Sequence, residues 1–267
     1  MSPAGPHLER FEHGGGVLVD EVAGTPGASH VVFLHGWGGN RESLRGVAAL
    51  FEHDAVVHLL DLPGFGEAPP PPADWGTSNY ADLVQQYLAD RVAGPVILVG
   101  HSFGGRVSVR LAARRIPSVR AIVLMGAPGL RRDGWSRAGA RRWGIRRLRA
   151  FLTACRPILG QGPLDWHTRR YGSKDYLAAG PLRPLLVRTV TEDLADCARA
   201  VSCPVLLLWG ADDTEAPVWQ AQQYRALMGA HATLEVLPHR DHHFHTGSGA
   251  HLCAFKIRAW LAAAGTR

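Results

Sequence analysis

The chain has 267 residues, 46% hydrophobic and 19% charged, with a formal net charge of +6. That size holds one large α/β domain, or a domain carrying an insertion, and the apolar content excludes a disordered chain. No run reaches the roughly 20 continuous apolar residues of a membrane span, and the start lacks a basic stretch followed by an apolar one, so a cytoplasmic protein off the membrane is expected.

Along the chain, LERFEH (8–13) and VLVDEVAG (17–24), joined by three glycines, read as an antiparallel hairpin. Short apolar runs then alternate with helical patterns: VVFLHG (31–36), AVVHLLDLPG (55–64), PVILVG (95–100), RAIVLMG (120–126), PVLLLWG (204–210) and TLEVLP (233–238). Their unbroken Val, Ile and Leu content is that of parallel strands buried on both faces. Helices are expected over residues 42–51, 80–92 (with Ser78 or Asn79 as N-cap), 102–115, 218–228 and 250–263. The proline-rich stretch 68–78 reads as a stiff spacer loop. Between residues 130 and 200 no strand-like run occurs; aromatics and arginines interleave with Gly and Pro, and a mainly helical inserted cap is expected. The resulting division is 1–129 for the first part of the core, 130–200 for the cap and 201–267 for the rest of the core.

Charge is concentrated in that cap. Residues 131–149 hold eight arginines against one acid, Asp133, and leave the remaining chain close to neutral. This argues against a general nucleic-acid surface. Two readings of the run stay open. It is either a solvated helix face or a docking surface for an anionic partner, an acyl-carrier protein or a coenzyme A thioester, with Arg141, Arg142, Arg146 and Arg147 as contacts. Cys155, Cys197, Cys203 and Cys253 are widely spaced and read as reduced, packed thiols.

The sharpest chemical signal is GHSFGG, residues 100–105, which sets Ser102 in the frame G-x-S-x-G. An apolar strand precedes it and a helical segment follows, the context of a nucleophile elbow. A serine hydroxyl needs a general base, and the base needs an acid to orient it. Asp212 and Asp213 follow the run PVLLLWG, and His239, His242, His243 and His245 follow the last strand. The order serine, acid, histidine is the one such elbows use.

HGWGG (35–39), DLPGFG (61–66), GHSFGG and WGADDTEAP (209–217) together resemble the α/β-hydrolase superfamily, over most of both core segments. HGWGG is most similar to carboxylesterases of the pimeloyl-carrier methyl-ester esterase type. The resemblance implies an α/β-hydrolase fold, a mostly parallel twisted sheet flanked by helices with an inserted helical cap. It also implies a serine hydrolase acting on a carboxylic ester or thioester. The family pattern W-G-x-x-D-x-x-x-P selects Asp213 over Asp212, and P-x-x-x-H selects His242, with His243 as runner-up. Backbone N–H groups of Trp37 and Phe103 are expected to form the oxyanion hole, and His35 and His101 to be structural.

Neither cofactor nor metal is expected: the histidines after the last strand lack a second ligand cluster of recognised spacing. A serine at the elbow argues against haloalkane dehalogenases and most epoxide hydrolases. Fold and triad alone leave open a C–C-bond hydrolase, a lyase, a perhydrolase or a non-catalytic binding homologue.

Overall fold

Among residues 7–131, 137–171 and 174–265, which the computed structural model describes, eight strands form one sheet. They are β1 (His7–His13), β2 (Gly16–Gly24), β3 (His30–Leu34), β4 (Val56–Asp61), β5 (Val96–His101), β6 (Val119–Met125), β7 (Val205–Gly210) and β8 (Ala232–Leu237). Their order is β1-β2-β4-β3-β5-β6-β7-β8. The β1–β2 and β2–β4 pairs are antiparallel, and all other pairs are parallel. The strands expected from the apolar runs are all present.

Continuous apolar runs serve two layers because successive side chains point to opposite faces. Val31 and Phe33 pack in one core layer with α1 (Glu42–Ala48) and α11 (Gly249–Ala263). Val32 and Leu34 pack in the other with α2 (Thr77–Arg91), α3 (Phe103–Ala113) and α10 (Val218–Met228). Each fully buried Val, Leu or Phe side chain contributes about 1.5–3 kcal/mol.

Helix α3 lies close against β3, and Gly104 makes that approach possible. A Cβ at this position would lie 2.1 Å from the Leu34 carbonyl oxygen. Between β6 and β7 the described chain is helical throughout: α4 (Arg137–Ala154), α5 (Arg156–Leu159), α6 (Gly162–Tyr171), α7 (Lys174–Ala178), α8 (Arg183–Thr191) and α9 (Ala195–Ala200). The last of these packs beside α3 and α10, with Ala198 in the core.

Helix α2 begins earlier than its sequence suggests, at Thr77, and neither Ser78 nor Asn79 is its N-cap. Gly76 holds that position, and the Asn79 Oδ1 accepts its N–H at 2.9 Å. The Thr77 N–H goes to a carboxylate far away in sequence, Glu192 Oε1, at 3.0 Å. Glu192 also pairs with Arg110 of α3 at 3.0 Å. A negative charge at a helix N-terminus is favourable, and here it ties α2 and α3 to the segment after α8. The Asn79 contact is local, whereas no local rule could have found the Glu192 carboxylate, which arrives through tertiary contact. All four cysteines are free.

Candidate active site

Ser102 sits between β5 and α3 with φ +48° and ψ −109°. A non-glycine residue at positive φ costs of order 1–3 kcal/mol and persists only where its surroundings enforce it. Here they do. The Ser102 N–H donates to the Met125 carbonyl at 2.9 Å, and the Gly104 N–H donates to the His35 carbonyl at 3.0 Å. The loop after β3 runs directly past the serine: a Cβ on Gly36 would lie 3.3 Å from the Ser102 Cβ. The Trp37 ring packs edge-on to Phe65 and Phe103, with centroids 5.0 and 5.5 Å away. The backbone N–H groups of Trp37 and Phe103 have no protein acceptor among the described residues.

Asp213, just beyond β7, has a fully buried side chain, and its Oδ2 lies 2.8 Å from His242 Nδ1. Its Oδ1 accepts the N–H groups of Glu215 at 2.9 Å and Ala216 at 2.7 Å. Trp209 Nε1 donates to the Ala216 carbonyl at 2.6 Å and pins the same turn. Gly126, next after Met125, abuts this pair. At φ +53°, a Cβ there would come within 3.1 Å of Asp213 Oδ2 and 3.2 Å of His242 Nδ1. The elbow and the Asp213–His242 pair therefore meet around the end of β6.

The neighbouring alternatives are placed differently. Asp212 is exposed, its N–H donating to the Arg240 carbonyl at 2.9 Å. His243 is exposed as well, whereas His242 is buried. Burial alone would depress His242, but the hydrogen bond and charge of Asp213, with Glu215 and Asp175, outweigh it and hold the imidazole above its ordinary value. Glu215 is a residue that sequence reasoning missed. Its Oε2 stands 3.7 Å from His242 Nε2. It occupies one of the unspecified positions between Asp213 and Pro217, so no motif marks it.

His35 has the structural character expected. Its Nε2 accepts the Leu62 N–H at 3.1 Å and its Nδ1 donates to the Gly36 carbonyl at 2.7 Å, with burial depressing its pKa to about 4. This joins the loop after β3 to the one after β4. In that second loop Asp61 accepts the Arg41 N–H at 2.7 Å and the Glu67 N–H at 2.9 Å.

His101 does more than pack. Its Nε2 donates to the His242 carbonyl at 3.0 Å, so the elbow holds the backbone that carries the histidine. The ligating atoms of His101, His243 and His245 lie within 4.8 Å of one another. Sequence spacing gave no second ligand cluster to join the histidines after β8. The fold supplies one from the elbow instead, which removes the ground for expecting no metal-competent cluster there. Burial holds His101 well below the ordinary imidazole value and His245 at about 4.

The helical stretch is tied to α3 by one buried bond and coupled electrostatically to the histidine loop. Arg106, buried on α3, donates from Nη1 to the Thr189 carbonyl of α8 at 2.7 Å. The Asp175 carboxyl of α7 is raised by desolvation and by Glu215, with opposing attraction from His242 and His243. Of the arginines singled out in the sequence, Arg147 is exposed on α4. Arg141, Arg142 and Arg146 also belong to α4, but their side chains lie outside the described residues.

A parallel sheet with a strained elbow serine and a buried carboxylate–histidine pair at one end defines the hydrolase class of α/β fold. The sequence matches the Alpha/beta hydrolase family over residues 31–254, and the chain belongs to that family. It is 34% identical over 140 residues to 2-succinyl-6-hydroxy-2,4-cyclohexadiene-1-carboxylate synthase of Salmonella agona (strain SL483), covering 49% of this chain and 53% of that protein. The match thus spans about half the length of that relative. It is 28% identical over 209 residues to pimeloyl-[acyl-carrier protein] methyl ester esterase of Chromobacterium violaceum, covering 70% of this chain and 77% of the relative. Among solved structures, a bacterial membrane phospholipase A superposes with a TM-score of 0.76 at 20% identity, over 98% of this chain and 88% of the other. Among the described residues of this chain, no helix is long and apolar enough to cross a membrane.

Proposed function

We propose that the protein is a serine hydrolase that cleaves a carboxylic ester or thioester through an acyl-enzyme on Ser102. The observation that carries this reading is the convergence of the strained Ser102 elbow with the buried Asp213–His242 pair, 2.8 Å apart, around Gly126. Ser102 Oγ attacks the carbonyl carbon while His242 Nε2 takes its proton. Asp213 accepts the Nδ1–H, which fixes the tautomer that leaves Nε2 free as base and then stabilises the imidazolium. The tetrahedral oxyanion lies between the N–H groups of Trp37 and Phe103, and losing one such donor typically costs about 10²–10³ in rate. His242 next protonates the leaving oxygen or sulfur and activates water to release the acid. The steps use side chains, backbone and water alone.

Residues 130–200 act as the cap over this site in the same reading, supported by the electrostatic coupling of Asp175 on α7 to Glu215 and His242. In this reading the positive charge of the run 131–149 attracts a substrate held on an anionic carrier, as the relative that acts on a pimeloyl-[acyl-carrier protein] methyl ester suggests. The free cysteines suit a reducing compartment such as the cytoplasm.

A second reading, carbon–carbon-bond chemistry on the same three side chains, is favoured by the synthase relative. The two separate on a panel of chromogenic esters and thioesters of graded chain length. Hydrolysis by the wild type, abolished in a folded Ser102→Ala variant, is the expected result. A wild type inert toward every ester and thioester contradicts the hydrolase reading.

A further inference from the structure

We propose that His101, His243 and His245 form a binding site for a late first-row transition-metal dication of the Zn²⁺ class, set against the back of the loop that carries His242. Three imidazoles make a donor set suited to Zn²⁺ and its neighbours in the series, and three protein ligands leave one position for water. The ligating atoms already lie within 4.8 Å of one another. A tetrahedral Zn²⁺ with bonds of about 2.0–2.1 Å needs its nitrogens roughly 3.4 Å apart. His243 is exposed, so its side chain is free to close that gap.

A second observation points to a ligand. His245 is only 3% exposed, yet its Nδ1 has no hydrogen-bond partner. Buried polar nitrogens are ordinarily satisfied, and a metal bond would satisfy this one. The backbone that carries His243 is held in place by the loop itself. The His243 N–H bonds the Asp241 carboxylate at 2.9 Å, and the His243 carbonyl accepts the Thr246 N–H at 3.0 Å and hydroxyl at 2.9 Å. On the other side His101 is fixed by its position in the elbow, its ring centroid 4.1 Å from that of His245. Burial keeps His101 and His245 as neutral imidazoles, the form that ligates. A metal here would cross-link the elbow to the loop after β8, two segments joined in the metal-free protein by the His101 Nε2–His242 carbonyl bond.

The test uses untagged, chelator-treated full-length protein, because the chain has 14 histidines and any tag would add more. Titration with Co²⁺, followed by its visible absorption, should give one saturable equivalent that Zn²⁺ displaces. Zn²⁺ should also raise the melting temperature, since the assembled site binds it more tightly than the unfolded chain does. His243→Ala, with its circular dichroism unchanged, should weaken binding by about 100-fold or more and remove the thermal shift. His251→Ala, which removes an exposed histidine of α11, should leave both untouched. A zinc-soaked crystal should show the anomalous peak among the three rings, an observation that needs no variant. Absence of saturable binding, equal binding by His243→Ala, or a peak elsewhere on the molecule would overturn the proposal.

Discussion

In β5 and β7 every residue is buried, whereas the helices between β6 and β7 leave Phe151 61%, Trp166 52% and Val190 55% exposed. The strands are held from both faces, so each position has one acceptable size and polarity. The helical stretch is held at a few points instead: Arg106 to Thr189, Glu192 to Thr77 and Arg110, and α9 against α3. Packing dictates the first region. In the second, exposed apolar and cationic side chains contribute little to the fold, although Leu185, Leu194 and Ala198 reach the core.

The largest expected effects test the packed region. Asp213→Asn should lower kcat by about 10⁴-fold through the wrong histidine tautomer, and His242→Ala should be at least as damaging. In chelator-treated, metal-free protein Asp212→Asn and His243→Ala, at exposed neighbours, should each stay within about threefold of wild type, as surface substitutions do. Steady-state rates of the four variants decide this, and a His243→Ala defect larger than that of His242→Ala reverses the assignment.

The next test concerns the anchorage between the two regions. Glu192→Ala removes a carboxylate that accepts the Thr77 N–H and pairs with Arg110. Hydrogen bonds to charged groups are worth about 1.5–3 kcal/mol, so denaturant unfolding should report a loss of that order. A change below about 0.5 kcal/mol would mean that the helical stretch is not anchored there.

Smaller effects probe the arginine run of residues 131–149. For a substrate on an anionic carrier, kcat/KM should fall steeply as salt shortens the Debye length to about 8 Å, while a small neutral ester responds little. Replacing Arg141, Arg142, Arg146 and Arg147 together by Gln should lower activity severalfold on the carrier-bound substrate alone. An equal response from both substrates identifies the run as a solvated face.

The smallest expected change is at Glu215. His242 acts as base when neutral, so kcat/KM should rise with pH through its raised pKa, above the ordinary 6.5. Glu215→Gln removes one of the carboxylates that favour the protonated ring, so this limb should move to lower pH. The plateau rate should change by less than about twofold, because the Glu215 carboxylate is about half exposed and screened by solvent. A limb that stays in place excludes Glu215 from tuning the base.

Much of the core was legible because buried strands write their environment as uninterrupted apolar runs, and glycines such as Gly104 mark where strand and helix touch. The elbow frame marked Ser102, and the patterns of the resembled family selected Asp213 and His242 from their neighbours. What was illegible depends on contacts distant in sequence. Glu192 caps α2 across 115 positions. Likewise His101 reaches His245 across the elbow, and Glu215 stands beside His242 from a position that no motif specifies. The start of α2 differs from its expected place for another reason: its N-cap is Gly76, which has no side chain to mark the position, and Asn79 serves from N3.

The central claim is that Ser102 is an activated nucleophile, and covalent labelling tests it most directly. Incubation with a fluorophosphonate, followed by intact-mass and peptide mass spectrometry, should give one adduct per chain, located on Ser102. The adduct should be absent from Ser102→Ala and slow to form in His242→Ala. A wild type that stays unlabelled, or a Ser102→Ala variant that labels as readily, would contradict the account.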